Sequence, residues 1–187
     1  MADVKVLALV GSLRAASVNR QLAELAADTA PDGVAVTLFD GLGELPFYNE
    51  DIDNDSVAGG VPAPVVALRT AAADADAALV VTPENNGSIP AVLKNAIDWL
   101  SRPFGQSVLA AKPVGVIGAA ASRSGGARAH DDTRRSFNSF GSGLPRVVES
   151  ITLSVPIRSL DGKHPGENAE VADKLRDLVG KLAAEVS

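Results

Sequence analysis

The chain has 187 residues, of which 46% are hydrophobic and 21% are charged, the balance of an ordinary soluble globular protein. Its net charge of −6 argues against nucleic acid or an anionic membrane as a partner. The chain contains no cysteine, which excludes disulfides, thiol redox chemistry and iron–sulfur ligation. The first residues lead directly into a strand pattern without an apolar signal segment, and no stretch is long enough to span a bilayer. We therefore expect a cytoplasmic protein with one domain over residues 1–187.

Short aliphatic runs alternate with helical patterns along the chain. Five runs are predicted as strands: Val4–Val10, Val34–Phe39, Ala77–Val81, Pro113–Gly118 and one within Val147–Val155. Five segments are predicted as helices: Val18–Thr29, Val65–Ala75, Pro90–Ser101, Gly126–Phe140 and Val171–Val186. The segment Gly41–Pro64 is rich in glycine and proline and is interpreted as a surface excursion after the second strand.

Alternation of strands and helices implies βαβ units, hence a parallel sheet with helices on both faces. Five strands fit an α/β flavodoxin-like three-layer sandwich with a five-stranded parallel sheet of order 2-1-3-4-5. In such a fold the ligand crevice lies where the strand order reverses, at the carboxyl ends of strands one and three. The loops after Val10 and Val81 are therefore the first to inspect, with the loop after Gly118 beside them.

The loop after the first strand has the side chains of an anion site. It runs from Gly11 to Arg20 and lacks both the dinucleotide-binding glycine pattern and the Gly-Lys-Ser/Thr end of a Walker loop. It leads into a helix, whose free N–H groups and dipole favour a phosphate. Hydroxyl, amide and guanidinium donors are available from Ser12, Arg14, Ser17 and Asn19. The alternative is that Ser17 or Asn19 caps the helix while Arg14 is a solvated cation.

The loop after the third strand, Thr82–Pro90, has polar groups and bends but no pair of nucleophile and base. It suits a rim that hydrogen-bonds a flat ligand. The alternative is a simple connector, because Asn-Gly is a turn signal and proline is tolerated in a first helical turn.

These loops resemble those of the NADPH-dependent FMN reductase family, which comprises chromate and quinone reductases of flavodoxin-like fold. The resemblance is carried by the motifs Gly11-Ser12-Leu13-Arg14, Ser17-Val18-Asn19-Arg20, Thr82-Pro83-Glu84, Asn86-Gly87-Ser88-Ile89-Pro90 and Leu93-Lys94-Asn95-Ala96-Ile97-Asp98-Trp99. It implies that Ser12, Arg14, Ser17, Val18 and Asn19 hold the FMN phosphate. It also implies that Pro83, Glu84 and Asn86 border the flavin ring.

The chain departs from this family at one residue and in one four-residue segment, both of which are expected to face the ring. The family usually has a tyrosine where this chain has Asn85, and often Gly-Ser-X-Gly where this chain has Ala119-Ala120-Ala121-Ser122. Asn85 and Ser122 complete the predicted cofactor-binding set. Loss of an aromatic neighbour removes apolar contact area, so the departures concern ring affinity and redox potential rather than phosphate anchoring.

Other polar clusters are interpreted as structural. His130 and His164 lack partners at metal-ligand spacing, so no metal site is predicted. The pairs Asp131-Asp132 and Arg134-Arg135 fit a solvated helix face with local ion pairs, whereas Arg123 and Arg128 could meet an NADPH phosphate.

Helix Pro90–Ser101 has an apolar arc wider than contact with a sheet requires. Either Trp99 lies in a deeply packed core, or Trp99 and Val92 reach a second subunit. The resemblance favours a homodimer or homotetramer.

The resemblance therefore implies an FMN-dependent NAD(P)H oxidoreductase that passes hydride from NADPH or NADH to a small acceptor such as a quinone or free flavin. The cofactor carries the chemistry, so no catalytic acid or base is predicted. Two alternatives remain open: a flavodoxin-like electron carrier, and a non-catalytic binding protein with an altered ring site.

Overall fold

Five parallel strands form a single sheet, with helices on both of its faces. The computed structural model describes residues 3–53, 60–139 and 143–186. The strands are β1 (Val4–Val10), β2 (Val34–Phe39), β3 (Ala77–Val81), β4 (Pro113–Ala120) and β5 (Arg146–Pro156). Their order is β2-β1-β3-β4-β5 and neighbouring strands pair in parallel. The predicted flavodoxin-like fold and strand order are confirmed.

The predicted helices are all present, with ends that differ by a few residues. They are α1 (Val18–Asp28), α2 (Ala63–Asp74), α3 (Ala91–Leu100), α4 (Ala127–Phe137) and α5 (Ala169–Ala184). The predicted end of the fourth helix, Phe140, lies outside the described residues, as do residues 54–59 of the surface excursion and Met1 and Ala2. Among the described residues, no helix is both long and apolar enough to cross a membrane.

The side chains of each central strand alternate between two apolar cores. In β1, Val6, Ala8 and Val10 face the core formed with α1 and α5, whereas Leu7 and Leu9 face the core formed with α2 and α3. Alternation with a period of two is what a strand covered on both faces requires. The sheet therefore has an apolar core on each face beneath the loops at its carboxyl edge.

The surface excursion covers the outer part of α3. It contains two short 3₁₀ turns, Gly41–Glu44 and Glu50–Ile52. Trp99 is fully buried and its indole N–H donates to the Pro46 carbonyl at 2.8 Å. The Tyr48 ring meets the Trp99 ring edge-on at 4.9 Å between centroids. The wide apolar arc of α3 is thus explained within one chain, and the alternative in which Trp99 reaches a second subunit is wrong.

A buried ion pair joins this excursion to α2. Both guanidinium Nη atoms of Arg69 donate to the Asp53 carboxylate, at 2.7 and 2.8 Å. Arg69 also donates to the Trp99 carbonyl and lies 5.6 Å from the centre of the Trp99 ring. One arginine therefore joins the excursion, α2 and α3.

Candidate active site

A cleft of about 670 Å³ opens at the carboxyl edge of the sheet, where the loops after β1, β3 and β4 meet. This volume is within the range of about 300–1,000 Å³ that is typical of small-molecule and cofactor sites. The cleft lies where the strand order reverses between β1 and β3. Predicted site residues that line it are Ser12, Arg14, Ser17, Val18, Asn19, Pro83, Glu84 and Asn85. Asn86 and Ser122 are not among its lining residues.

Ser17 caps α1 and still has a proton to donate. Its backbone is extended and its Oγ accepts from the Arg20 backbone N–H at 3.4 Å. A serine hydroxyl both accepts and donates, so capping and phosphate binding are compatible. The first turn of α1 contains no acidic residue, which leaves the positive end of the helix dipole facing the cleft unopposed.

Arg14 is an exposed cation on the wall of the cleft. Its Nη2 donates to the Ala16 carbonyl at 3.3 Å. Arg20, on the same loop–helix junction, instead binds Glu24 at 2.9 Å and Asp40 at 2.7 Å. These two carboxylates raise the pKa of Arg20 above its ordinary value. Arg20 is therefore committed to protein carboxylates, whereas Arg14 offers its charge to the cleft.

Asn19 is buried and its amide is engaged by the backbone of β4. Its Nδ2 donates to the Ala119 carbonyl at 2.9 Å, and its Oδ1 accepts from the Ala119 N–H at 2.8 Å. The neighbouring Gly118 has no room for a side chain, since a Cβ there would lie 2.0 Å from the Thr82 carbonyl oxygen. Asn19 thus aligns the beginning of α1 with the end of β4, a role that the sequence did not reveal.

A tight hairpin after β3 forms another side of the cleft. Asn85 and Ser88 exchange two backbone hydrogen bonds, each of 3.0 Å. Asn86 and Gly87 form the tip with φ of 52° and 79°, the left-handed conformation that Asn-Gly favours in such turns. Asn86 is exposed at this tip and does not line the cleft, because it occupies a turn position that requires the left-handed conformation.

Glu84 contributes a carboxylate to the same side of the cleft. One of its oxygens, Oε2, is buried and has no hydrogen-bond partner within the described residues. A buried acceptor without a partner costs free energy, so a ligand that donates a hydrogen bond at this point would be stabilised.

The remaining lining consists of glycine, alanine, proline and branched aliphatic residues. It is supplied by Gly11, Leu13, Pro90, Ala91, Val92, Ala119, Ala120, Ala121 and Ile157. No aromatic side chain of the described residues lines the cleft. Ser122 turns away from it, because its Oγ accepts from the Gly126 N–H at 3.2 Å in the approach to α4.

Ile157 was missed by sequence reasoning. The signal available was its position directly after β5. Val92, which the sequence analysis considered only as a core residue or a subunit contact, also lines the cleft.

His130 lies beneath this edge of the sheet and is 1% exposed. Its Nδ1 is 3.0 Å from the Ser154 Oγ. Burial and the positive charge of Arg134 lower the pKa of His130 to about 4, against opposing effects of the Thr82 backbone and Asp131. His130 is consequently neutral at physiological pH. No group of three or more side chains suited to a metal ion occurs in the part of the chain that the structure describes.

The sheet is flavodoxin-like, and its cleft combines a donor-rich loop at a helix N-terminus with apolar side chains. This combination is typical of proteins that bind a phosphorylated planar cofactor. Comparisons with known proteins make this class specific. The family model described as NADPH-dependent FMN reductase matches residues 4–153. The chain belongs to this family.

Two similar proteins are named as reductases of a quinone and of FMN. A 2-hydroxy-1,4-benzoquinone reductase from Burkholderia sp is 44% identical over 131 residues, which are 70% of this chain and 68% of that protein. An NAD(P)H-dependent FMN reductase from Pseudomonas aeruginosa is 43% identical over 135 residues, 72% of this chain and 70% of that protein.

Among solved structures, the flavoenzyme FerB from Paracoccus denitrificans, an NAD(P)H:(acceptor) oxidoreductase, aligns with a TM-score of 0.80 and 29% identity. The alignment covers 98% of this chain and 97% of FerB. The predicted activity of an FMN-dependent NAD(P)H oxidoreductase, with FMN and NAD(P)H as cofactors, is confirmed by family membership.

Proposed function

We propose that this enzyme holds FMN in the cleft between the loops after β1, β3 and β4, in one domain spanning the chain. The phosphate binds at the N-terminus of α1 and the ring lies against the hairpin after β3. The observation that carries the proposal is the composition of the cleft, where the donor-rich loop after β1 meets the loops after β3 and β4.

The residues present fit this cofactor. Arg14 supplies charge, Ser12 and Ser17 supply hydroxyls, and Val18 begins the helix whose free N–H groups face the phosphate. Pro83, Glu84 and Asn85 border the ring, and the buried Oε2 of Glu84 accepts a hydrogen bond from a donor on the ligand. Asn86 and Ser122, which lie outside the cleft, are not included in the proposed contact set.

Bound FMN would accept a hydride from NAD(P)H and deliver reducing equivalents to a second substrate. The protein supplies position rather than acid–base chemistry, and no catalytic residue is proposed. Asn19 and Gly118 keep the helix terminus in register with the strand ends. Ala120, Ala121 and Ile157 add apolar lining beside the ring.

The aliphatic lining of the cleft supports a flat second substrate. Because no described aromatic side chain fills the cleft, a planar nicotinamide or acceptor has room beside the ring. We propose that a quinone is the acceptor, as in the quinone reductases that the chain resembles, with free flavin as the competing candidate.

The purified protein should be yellow and should oxidise NADPH faster when a benzoquinone is added. A yellow protein without NADPH turnover would indicate the electron carrier instead. A colourless protein that takes up no FMN would contradict the proposal and favour a non-catalytic role.

We further propose that the enzyme is a cytoplasmic homodimer or homotetramer. The Phe47 and Phe104 side chains are 82% and 65% exposed in the single chain, and their burial between subunits would favour self-association. Light scattering on a sizing column should show a particle of at least twice 19.1 kDa. A monomer at micromolar concentration would contradict this.

A further inference from the structure

The two adjacent carboxylates of α4, Asp131 and Asp132, have different surroundings. The side chain of Asp131 is 79% exposed and pairs with Arg134 on the same helix. The side chain of Asp132 is only 22% exposed. Its Oδ2 accepts a hydrogen bond of 2.6 Å from the Ser88 hydroxyl, 44 residues earlier in the chain. Asp132 therefore links α4 to the hairpin after β3.

The Asp132 carboxylate is itself oriented. Its Oδ1 accepts from the Arg135 guanidinium at 2.6 Å, which leaves Oδ2 facing Ser88. A hydroxyl bond to a carboxylate is charge-assisted and roughly twice as strong as one between neutral groups. Partial burial of the carboxylate limits the competition from water.

The hairpin needs an external tie to hold its position. The two Asn85–Ser88 backbone bonds are internal, so they fix the shape of the hairpin but not its place over the cleft. Ile89 packs against the core at the base of the hairpin. The Ser88–Asp132 bond adds a polar tie to a different element and thereby restrains the wall that Asn85 contributes to the cleft.

We propose that Asp132 is a positioning residue for the ring end of the cleft. Acting through Ser88, it holds the hairpin at the distance that the flavin ring requires. This inference rests on the proposed function. The phosphate end has separate supports, the Ser17 cap and the Asn19–Ala119 bonds, so the two ends are affected independently.

The test compares Asp132→Ala and Ser88→Ala with Asp131→Ala. This control makes the same aspartate-to-alanine change at the neighbouring position, which does not contact Ser88. The first measurement is hydrogen exchange of the Asn85 and Ser88 amides in cofactor-free protein. Exchange should accelerate about tenfold in Asp132→Ala and in Ser88→Ala, the change for losing one hydrogen bond to a charged group. Asp131→Ala should exchange like the wild type, and Ser88→Thr, which keeps the hydroxyl, should restore protection.

The second measurement is the affinity for FMN and for riboflavin. Both affinities should fall by the same factor in Asp132→Ala, because the ring is common to both ligands. The midpoint potential of bound FMN should shift in Asp132→Ala and not in Asp131→Ala. The double variant Ser88→Ala/Asp132→Ala should bind flavin no more weakly than Asp132→Ala, since both single substitutions remove the same Ser88–Asp132 bond.

Equal exchange and equal riboflavin affinity in the Asp131 and Asp132 variants would overturn the proposal. So would a selective loss of FMN over riboflavin, which would place the effect at the phosphate end. If the wild type bound no flavin, the proposed function would fail, whereas the exchange experiment would still decide whether Asp132 holds the hairpin.

Discussion

At the scale of single residues, Arg14 and Arg20, the two arginines near the loop after β1, differ in the groups that they bind. Arg20 is held by Asp40 and Glu24, so its charge is already neutralised within the protein. Among the residues that the structure describes, Arg14 has one acceptor, the Ala16 carbonyl, and it lines the cleft. Two cations that look alike in the sequence are thus separated by their carboxylate neighbours.

Arg14→Ala should weaken FMN binding by about 1.5–3 kcal/mol, the range for a hydrogen bond to a charged group. Riboflavin lacks the phosphate, so it should bind weakly to the wild type and be little affected by the substitution. Quenching of flavin fluorescence on titration measures both affinities. Equal losses for the two ligands would contradict phosphate binding by Arg14.

Asn85→Tyr should raise the affinity for FMN and riboflavin together. Asn85 is exposed on the cleft wall, where a phenol ring would add apolar contact to the flavin. An aromatic contact is worth about 0.5–1.5 kcal/mol beyond burial, which corresponds to a gain of up to roughly tenfold. The same fluorescence titration applies. An unchanged or lower affinity would show that Asn85 has its own hydrogen bond or does not touch the ring.

At the scale of elements, α3 is stabilised from two directions. The sheet covers one side and the excursion after β2 covers another, with Arg69 joining them. At the far end of α2, the Lys112 ammonium donates to the Ala72 and Ala73 carbonyls at 2.8 and 2.7 Å. Burial lowers the pKa of Lys112, against the charges of Asp76 and Asp74. Long basic side chains thus join α2 to neighbouring elements at two places.

Arg69→Met should lower the free energy of unfolding by about 3 kcal/mol, because it leaves the Asp53 carboxylate, which is 6% exposed, without its partner. Urea denaturation followed by Trp99 fluorescence measures the change. Arg20→Met is the matched control. It breaks exposed ion pairs only, so its effect should stay below about 1 kcal/mol. Equal losses in the two variants would contradict the account of the Arg69 clamp.

At the scale of the whole molecule, His130 couples folding to pH. Its pKa is lowered to about 4 in the folded protein, whereas the unfolded chain has the ordinary value of about 6.5. Below pH 6.5, His130 binds a proton in the unfolded state. In the folded state it binds this proton only when the pH falls to about 4. Stability is therefore lost as the pH falls through this window, and this loss levels off below it.

His130→Gln should remove this part of the acid sensitivity. Between pH 7 and pH 5 the wild type should lose about 2 kcal/mol more of its unfolding free energy than the variant does. The carboxylates titrate in both proteins and cancel in the comparison. Urea denaturation at several pH values provides the measurement. Parallel pH profiles would show that His130 does not remain neutral in the folded state.

The sequence by itself determined the elements, the strand order and the loops that form the cleft. Periodicity of two or 3.6 residues is a local property, and parallel βαβ units allow few arrangements. The resemblance at Gly11–Arg20 and Thr82–Trp99 also indicated the family, because short-range motifs carry it. The irregular excursion after β2 was located without its 3₁₀ turns, since glycine and proline mark where a regular element ends but do not specify the conformation of the next segment.

Only the tertiary structure decided where individual side chains point. Asn19 is hydrogen-bonded to Ala119, which is 100 residues away in the chain. Ser88 donates a hydrogen bond to Asp132, and the Trp99 indole N–H donates to the Pro46 carbonyl. Each of these contacts joins elements whose spacing depends on packing of the whole sheet, and a hydrogen bond is made or lost within a fraction of an ångström. Local pattern therefore fixed which loops meet at the cleft, whereas the long-range contacts fixed which of their residues face it.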